Sequence, residues 1–501
     1  MRQPPRAHGA AVWLALFTIV LVLLGVLQLR AGAGSILRER DRQSERVLAY
    51  ARDALIAYAA DHPVNASVGP GYLPCPDLDN DGWAEATCGS LAGDSGQEQR
   101  LGRLPWKTLG LPDLRDGHGE RLWYAVSSKY KGLLNCAASR GCVDMSPAVA
   151  LGTITVRDPS GLVLQDATVR DPARAAAGGA VAVVFAPGPP LERAAYGMRG
   201  AFFQRRDCSL LDCDGNARCT VEPPQRAAIC DPANYLDAAP GVEDNADFVD
   251  RNDAAGRALD MNGFIQGPVA RDGRIVVNDR LAVVAYADLM PRIMRRVALE
   301  VAGCLRFYAS RPENRGRYPW TGAACAGPSQ PVADTAGATA GLVPDTPFDA
   351  SGAHGLLPQW WRARPKTPEA WSELPTRDDA CRIAIAPDDA GPVRSTPPPM
   401  PRDEAATAGS ASPSWWNAWK PYVTLAVGNG YAPDAMPTGD CAAQACLDVT
   451  DAQGGVLAAA RSAVVVVRRD AASCAAPVKS CDAAGCRVRV LDGDAFAALP
   501  P

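Results

Sequence analysis

Several groups that serve common catalytic and binding chemistries are scarce or missing in this sequence. Only four of the 501 residues are histidine and no two cysteines are spaced as Cys-x-x-Cys, which argues against a zinc site. Phosphate-cradling glycine loops, His-Glu-x-x-His motifs and nucleophile elbows are also missing. The 51 basic residues are outnumbered by 55 acidic ones, whereas a nucleic-acid-binding protein normally has a basic excess. We therefore expect a protein that is not an enzyme, requires no cofactor and binds no nucleic acid.

Cysteine, by contrast, is abundant, with sixteen residues that mostly fall in close pairs. An even number of locally paired cysteines is typical of a disulfide-bonded protein in an oxidising compartment. The length favours two domains over a single core. The disulfide candidates, written as neighbouring pairs, are Cys75/Cys88, Cys136/Cys142, Cys208/Cys213, Cys219/Cys230, Cys441/Cys446 and Cys481/Cys486.

The N-terminal region contains an uncharged apolar segment, Ala11 to Leu29. A segment of about 20 apolar residues crosses the hydrocarbon core as a helix, and it is longer than the apolar part of most cleavable signals. Basic residues are more numerous after the segment than before it, which favours a cytoplasmic body. The cysteines favour the opposite orientation, and we give them more weight. We expect a single-pass inner-membrane protein whose body is periplasmic or extracellular.

The apolar segment continues into an amphipathic pattern without proline until Pro63, which predicts one long helix over residues 10–62. A second helix is predicted after residue 287, with Asp288 as its N-cap and Pro291 in its first turn. The apolar stripe of the first helix is Leu37, Ser44, Leu48, Ala51, Leu55 and Tyr58. That of the second is Leu289, Ile293, Val297, Val301, Leu305 and Tyr308.

A basic leader, a glycine, an apolar helix that becomes amphipathic and a cysteine-bearing β domain together resemble type IV pilins and type II secretion pseudopilins. The resemblance covers roughly residues 1–190, and the stretches ARDALIAYAA, GYLPCPD, GRLPW and LWYAVS are similar to those of a pilin-like subgroup of bacterial proteins. It implies cleavage between Gly9 and Ala10 by a prepilin peptidase, with an uncleaved signal anchor as the alternative. Leu14 stands where most members have a glutamate, as in tip-type minor pseudopilins.

The chain also resembles itself. ERVLAYARDALIAYAA, which starts at Glu45, returns as RRVALEVAGCLRFYAS from Arg295, and GYLPCPD returns as GRYPWTG from Gly316. LWYAVSSKY, which ends at Tyr130, is echoed by YVTLAVGNGY, which ends at Tyr431. Three further echoes follow the same order: GRLPW with GLLPQWW, Cys136/Cys142 with Cys441/Cys446, and ITVRDPSG before AVAVVFAPG with LDVTDAQGG before SAVVVVRRD. Six echoes in the same order predict two related α+β units, each a helix on a small antiparallel sheet. Two unrelated domains of biased composition are the alternative.

These features predict the domain organisation. The expected parts are a leader at 1–9, the transmembrane and pilin-like helix at 10–62, a first α+β domain at 63–199, a disulfide-rich insertion and hairpin at 200–287, and a second α+β copy at 288–501. The hairpin is RIVVNDRLAVVAYADL with Asn278 and Asp279 at its turn. Residues 387–413, rich in proline, alanine and serine, are expected to form a mobile loop.

One stretch has the spacing of a calcium loop. Asp77, Asp79 and Asp81 alternate before Gly82, and Glu85 is placed to assist through water. The glutamate that closes such a loop is missing, since Cys88 occupies its position. The sequence predicts a calcium site of Asp77, Asp79, Asp81 and Glu85, with a disulfide-closed turn and solvated acids as the alternative.

Together these features predict a structural or assembly protein. We expect a minor or tip subunit of a type IV pilus or type II secretion filament, which contacts other pilin-like subunits through its first helix and presents its body to a protein or glycan ligand. The alternative is a solitary, inner-membrane-anchored periplasmic binding protein that never enters a filament.

Overall fold

The computed structural model describes much of both predicted units. The described residues are 8–61, 69–86, 88, 100–131, 145–169, 171–194, 201–204, 206, 231–238, 243–248, 250–252, 258–260, 263–310, 315–318, 354–356, 419, 422–432, 441, 445–469, 479–482 and 485–501. In the first helix, the side chains of 8–12, 14–15 and 22–34 are outside this description. The predicted loop 387–413 also lies outside it.

Two long helices and many short strands make up the described chain. In chain order they are α1 (His8–Asp61), β1 (Leu101–Arg103), β2 (Trp123–Val126), β3 (Val156–Arg157), β4 (Val163–Gln165), β5 (Ala182–Ala186), β6 (Glu192–Ala194), β7 (Ala201–Phe203), β8 (Asp250–Asn252), β9 (Ala258–Asp260), β10 (Phe264–Ile265), β11 (Val269–Arg271), β12 (Arg274–Val277), β13 (Arg280–Val284), α2 (Tyr286–Ser310), β14 (His354–Leu356), β15 (Val423–Val427), β16 (Leu447–Thr450), β17 (Val456–Arg461), β18 (Ala463–Val467), β19 (Lys479–Asp482), β20 (Gly485–Arg489) and β21 (Ala495–Leu499).

Two four-stranded antiparallel sheets form the centre of the molecule. The first has the strand order β1-β2-β5-β13 and the second has the order β14-β15-β18-β21. Their central strands β5 and β18 are buried along their whole length, AVVFA in one and AVVVV in the other, because both faces of each sheet are covered.

The helices α1 and α2 contact each other and pack on these two sheets. One continuous core joins side chains of both helices to both sheets, so the two units are packed together. The stripe predicted for α2 is confirmed, since all six residues are buried. In the stripe of α1, Ser44, Leu48, Ala51 and Leu55 are buried and Tyr58 is half-buried, but Leu37 is 56% exposed. That part of the prediction is wrong because the helical periodicity continues beyond the point where α1 leaves the body.

The outer face of each central sheet carries a smaller sheet. Outside the first, β3 pairs antiparallel with β4 and parallel with β10. Outside the second, β16 pairs antiparallel with β17 and parallel with β20, whose other neighbour is β19. Each layer encloses its own apolar cluster, so the order across the molecule is small sheet, central sheet, helices, central sheet, small sheet.

The same backbone hydrogen bonds recur in the two units. Gly71 N–H donates to the Ala59 carbonyl at 2.8 Å, as Gly316 N–H donates to that of Ala309 at 3.0 Å. The remaining matched pairs of donor and acceptor are Leu73/Tyr130 with Tyr318/Tyr431, Ser127/Val181 with Gly428/Ser462, and Val181/Val284 with Ser462/Leu499. All but the last of these pairs join segments that the internal echoes matched, and the last pair adds β13 and β21, which no echo included.

The predicted hairpin around Asn278 and Asp279 is wrong. β12 pairs with β11 through the turn at Asp272 and Gly273, whereas β13 pairs with β5 and completes the first central sheet. The difference arises because β13 pairs with the apolar strand β5 and is covered by α1. Neither contact can be predicted from the local sequence. The first unit therefore includes a strand from the region expected to be an insertion.

The start of α2 also differs from the prediction. The helix begins at Tyr286, so Asp288 lies in its first turn and is not the N-cap. The carboxylate of Asp288 accepts the backbone N–H of Ala285 at 3.1 Å, which is the reaching-back half of a capping box. A carboxylate at this position also interacts favourably with the helix dipole.

Disulfide bonds are present in the structure. Cys75–Cys88, Cys441–Cys446 and Cys481–Cys486 are bonded, and all six of these cysteines were among the candidates, whose connectivity the sequence left open. Cys304 in α2 is disulfide-bonded too, although the pairing pattern did not include it. The remaining six candidates, Cys136, Cys142, Cys208, Cys213, Cys219 and Cys230, lie outside the described residues.

Among the residues described, no helix is both long and apolar enough to span a bilayer. The segment Ala11 to Leu29 falls partly among the side chains of α1 that are outside the description. Its membrane insertion stays a prediction.

Candidate metal centre

The predicted calcium loop lies between α1 and β1 and is fixed at both ends. The Cys75–Cys88 disulfide joins its flanks across 5.6 Å between Cα atoms. Asp77 and Arg103 of β1 exchange two backbone hydrogen bonds of 2.9 and 2.7 Å, so the loop starts as an extension of the first central sheet. Ala84 N–H donates to the Thr108 hydroxyl at 2.8 Å. These attachments set the position of the acidic side chains.

The Asp77 carboxylate organises the turn from inside. Its Oδ1 accepts the backbone N–H of Asn80 at 2.7 Å, and its Oδ2 accepts that of Gly82 at 2.8 Å. The chain can close around this carboxylate because Asn80 (φ 67°) and Gly82 (φ 90°) adopt left-handed conformations. At Gly82 a Cβ atom would lie 2.6 Å from the Trp106 indole nitrogen, so glycine is also required for packing.

Three of the four predicted ligands come together. Asp77, Asp79 and Glu85 each offer a carboxylate oxygen, and these oxygens lie within 4.8 Å of one another. Asp81 does not join them. Its carboxylate accepts the backbone N–H of Trp83 at 2.7 Å, and its carbonyl accepts a hydrogen bond from the Lys107 ammonium. The assignment of Asp81 as a ligand is therefore corrected, because the turn at Asn80 directs its side chain to its own backbone.

Burial and neighbouring charge perturb the carboxyls of this cluster. Burial raises the pKa of Asp77 to about 7, opposed by the Gly82 and Asn80 hydrogen bonds and reinforced by the charges of Asp79 and Asp81. Burial likewise raises the pKa of Glu85, and the same two aspartates add to the increase. A cation at this position would relieve both the burial of charge and the mutual repulsion.

The donor set fits a hard divalent cation. Carboxylate oxygens within 4.8 Å of one another can share an ion whose metal–oxygen distances are about 2.3–2.6 Å, as for calcium. Three protein ligands are fewer than the six to eight that calcium takes, so water would supply the remainder. Asp79 is exposed, which gives water access to the cluster.

A second acidic cluster, which the sequence did not reveal, lies in the interior. Asp237 and Asp279 are 1% and 0% exposed, and Asp279 Oδ2 accepts both the Asp237 backbone N–H and the Asn245 amide at 2.8 Å. Burial raises the pKa of Asp237 to about 6 and that of Asp279 well above its ordinary range, where the charge of Asp237 adds to the effect. Because both groups are sealed from solvent, this cluster is structural. No local spacing signals it, since Asp237 and Asp279 come from distant segments.

The predicted processing site, Gly9 and Ala10, precedes both acidic clusters in the sequence. α1 begins at His8, so Gly9 and Ala10 lie in its first turn. The described side chains from Trp13 to Leu21 and from Ser35 to Gln43 are exposed. Gly9 and Ala10 thus lie on a helical extension of the body, and their role in processing stays a prediction.

Comparison with protein-family models, with curated proteins and with solved structures finds no match to this chain.

Proposed function

We propose that this chain is a membrane-anchored, pilin-like assembly protein with a duplicated α+β body, acting as a minor or tip subunit of a type IV pilus or type II secretion filament. The observation that carries the proposal is the exposed apolar extension of α1. Its body-packed part begins near Arg40, whose backbone lies against Gly117, and the preceding residues from His8 to Glu39 would span about 48 Å as a helix.

The composition of this extension supports an environment other than water. Trp13 is 72% exposed and Phe17 is 64% exposed. Ile19, Val20 and Leu21 are also about half exposed. Exposed apolar side chains of this kind are stable when they are surrounded by lipid or by other apolar helices. A pilin-like helix would meet both environments, because it is surrounded by lipid in the membrane and by other apolar helices in the filament.

The recurrence of strand order and backbone hydrogen bonds in the two units supports the duplicated body. Only the first unit carries the helical extension, since α2 starts directly after β13. The first unit would supply assembly and anchoring, and the second would be carried outward as a binding module. A large second module suits a terminal position, where it does not obstruct the stacking of other subunits.

The test is the N-terminal sequence and intact mass of the full-length protein purified from membranes of cells with and without a prepilin peptidase. A chain that begins at Ala10 only in the presence of the peptidase is the expected result. A chain that keeps Met1 to Gly9 in both strains would overturn the filament proposal and favour the solitary anchored binding protein.

We also propose that Asp77, Asp79 and Glu85 hold calcium in the first unit. The convergence of three carboxylate oxygens favours this over a turn with solvated acids. Calcium would have a structural role there, because Asp77 of the loop exchanges two backbone hydrogen bonds with Arg103 of β1 in the central sheet. When bound, the ion would neutralise the buried Asp77 carboxylate.

A further inference from the structure

A groove of about 460 Å³ runs along the second unit between α2 and the edge strand β21. Leu299, 47% exposed, gives its helical wall an apolar surface. The other groove-lining residues used below are Arg295, Ala302 and Arg306 from α2, and Phe496 and Ala498 from β21. Because β21 is the last strand of its sheet, one side of its backbone has no strand partner among the described residues.

The first unit closes the corresponding edge with an arginine. There, Arg52 of α1 donates from Nε to the backbone carbonyl of Val283 in β13 at 2.9 Å. The same residue forms an ion pair with Asp288 at 2.7 Å. A helix side chain thus caps an edge-strand carbonyl and occupies the space between helix and strand.

Among the described residues of the second unit, this cap has no counterpart. The spacing that matches Tyr58 with Tyr308 places Ala302 at the position of Arg52. The registers of the two sheets place Ala498 at the position of Val283, since Val284 pairs with Ala182 as Leu499 pairs with Ala463. The methyl group of Ala302 therefore lies beside β21, at the position where the first unit has the guanidinium of Arg52 beside β13.

The backbone of Ala498 faces outward in the same way as that of Val283. The next carbonyl in each strand is directed inward: Val284 accepts from Val181 N–H at 2.8 Å, and Leu499 accepts from Ser462 N–H at 3.0 Å. Because alternate residues of an edge strand direct their backbone groups to opposite sides, the Ala498 carbonyl and N–H point away from β18.

We propose that this groove binds an extended, acidic segment of a partner protein by strand addition to β21. A five-residue strand offers about 17 Å of backbone to such a segment. Backbone hydrogen bonds give the affinity in this binding mode, and side-chain contacts in the adjoining groove give the selectivity.

The charge of the groove selects the occupant. Arg295 and Arg306 are exposed and make no hydrogen bond or ion pair with the part of the chain that is described, so both guanidinium groups are available. Asp494 lies at the start of the groove, and its carboxylate accepts the Arg469 backbone N–H at 3.1 Å. Burial raises the pKa of Asp494, because it disfavours the charged form. A second copy is a poorer occupant, because its own β21, AFAAL, has no carboxylate for these arginines. The inference goes beyond the proposed assembly role and does not depend on leader cleavage.

The experiment is fluorescence anisotropy on the full-length protein in detergent, with two labelled seven-residue peptides in which valine alternates with glutamate or with lysine. We expect the glutamate peptide to bind at least tenfold more tightly than the lysine peptide. The double substitution Arg295→Glu/Arg306→Glu should weaken its binding at least tenfold. Ala302→Arg, which restores the cap of the first unit, should do the same.

The matched control is Arg292→Glu, which reverses an exposed arginine of α2 that does not line the groove. We expect its affinity to stay within twofold of that of the unmodified protein, and circular dichroism melting should show that all variants are folded. Equal binding of both peptides, no binding, or an equal loss in Arg292→Glu would overturn the proposal. A dimer that Ala302→Arg dissociates would also overturn it, because a second copy would then occupy the groove.

Discussion

Arg52 of α1 and Asp288 of α2 form an ion pair with 2.7 Å between Nη2 and Oδ1. Arg52 also donates to the Val283 carbonyl, and Asp288 accepts the Ala285 N–H, so the pair encloses the short connection between β13 and α2. Each side chain is about one-third exposed, so solvent screens part of the interaction.

Removing either partner of this pair should destabilise the whole body. We expect Arg52→Ala to lower the free energy of unfolding by about 1–2 kcal/mol, since it removes the ion pair and the hydrogen bond to Val283. A double-mutant cycle with Asp288→Ala, measured by urea unfolding, should give a coupling energy of about 0.5–1 kcal/mol.

The control for this cycle is the pair of Arg46 with Glu39 on the solvent-exposed face of α1. Their charged atoms are 2.8 Å apart, a similar distance, but the side chains are 66% and 58% exposed. Arg46→Ala should change the free energy of unfolding by less than about 0.5 kcal/mol. Equal effects at the two sites would contradict the structural role of Arg52.

Cation binding should separate the acidic residues that converge from the one that does not. Trp83 and Trp106 lie beside the loop, so terbium bound there should luminesce on tryptophan excitation and be displaced by calcium. Asp77→Asn and Asp79→Asn should weaken binding at least tenfold, whereas Asp81→Asn should change it less than about threefold. A loss of equal size for Asp81→Asn would restore the ligand set expected from the aspartate ladder.

Without calcium, the stability of the fold should fall as the pH rises from about 4 to about 7. Burial raises the pKa of Asp77 to about 7 and that of Asp237 to about 6, so the native state binds more protons than the unfolded state in this interval. Their favourable contribution is complete below the unfolded pKa of about 4 and is lost as the pH passes the folded values.

Urea midpoints at several pH values, with and without calcium, test this dependence. Asp77→Asn should flatten part of the decline, and calcium should reduce it because the ion stabilises the ionised carboxylate. A stability that increases over the same interval in the absence of calcium would contradict the raised pKa values.

The interior cluster of Asp237 and Asp279 should tolerate Asp279→Asn, which keeps a side-chain acceptor, but not Asp279→Ala, which removes it. Burial and the charge of Asp237 raise the pKa of Asp279 well above its ordinary range, which disfavours the charged form, so the neutral side chain of asparagine is a close replacement. We expect Asp279→Asn to cost less than about 1 kcal/mol. Asp279→Ala should cost about 2–4 kcal/mol, because the Asp237 N–H and the Asn245 amide would lose their acceptor. Thermal unfolding that ranks the two variants equally would be the contrary outcome.

Helical periodicity and close cysteine spacing proved informative in the sequence because both are local. The α2 stripe follows directly from its spacing, and three disulfides join candidate cysteines that are separated by 5 to 13 positions. Leu37 shows the limit of periodicity, which identifies a helix face but not where the body that covers it ends.

Strand partners and turn geometry were beyond the reach of the pattern. The sequence around β13 predicts half of a hairpin, but in the structure β13 pairs with β5, which is far away in sequence. Alternation placed Asp81 with Asp77 and Asp79, but the left-handed turn at Asn80 separates it from them. The groove beside β21 depends on the absence of one arginine in the second unit, and only the matched sheets show that this absence leaves an edge open.

The single residue between β13 and α2, Ala285, has a mechanical consequence. The last strand of one sheet passes almost directly into the helix that covers the other, and Arg52 braces the junction. A force applied to α2 would therefore be transmitted to β13 across one residue and to α1 through the Arg52–Asp288 ion pair. We expect the two units to change orientation together, without a flexible linker between them.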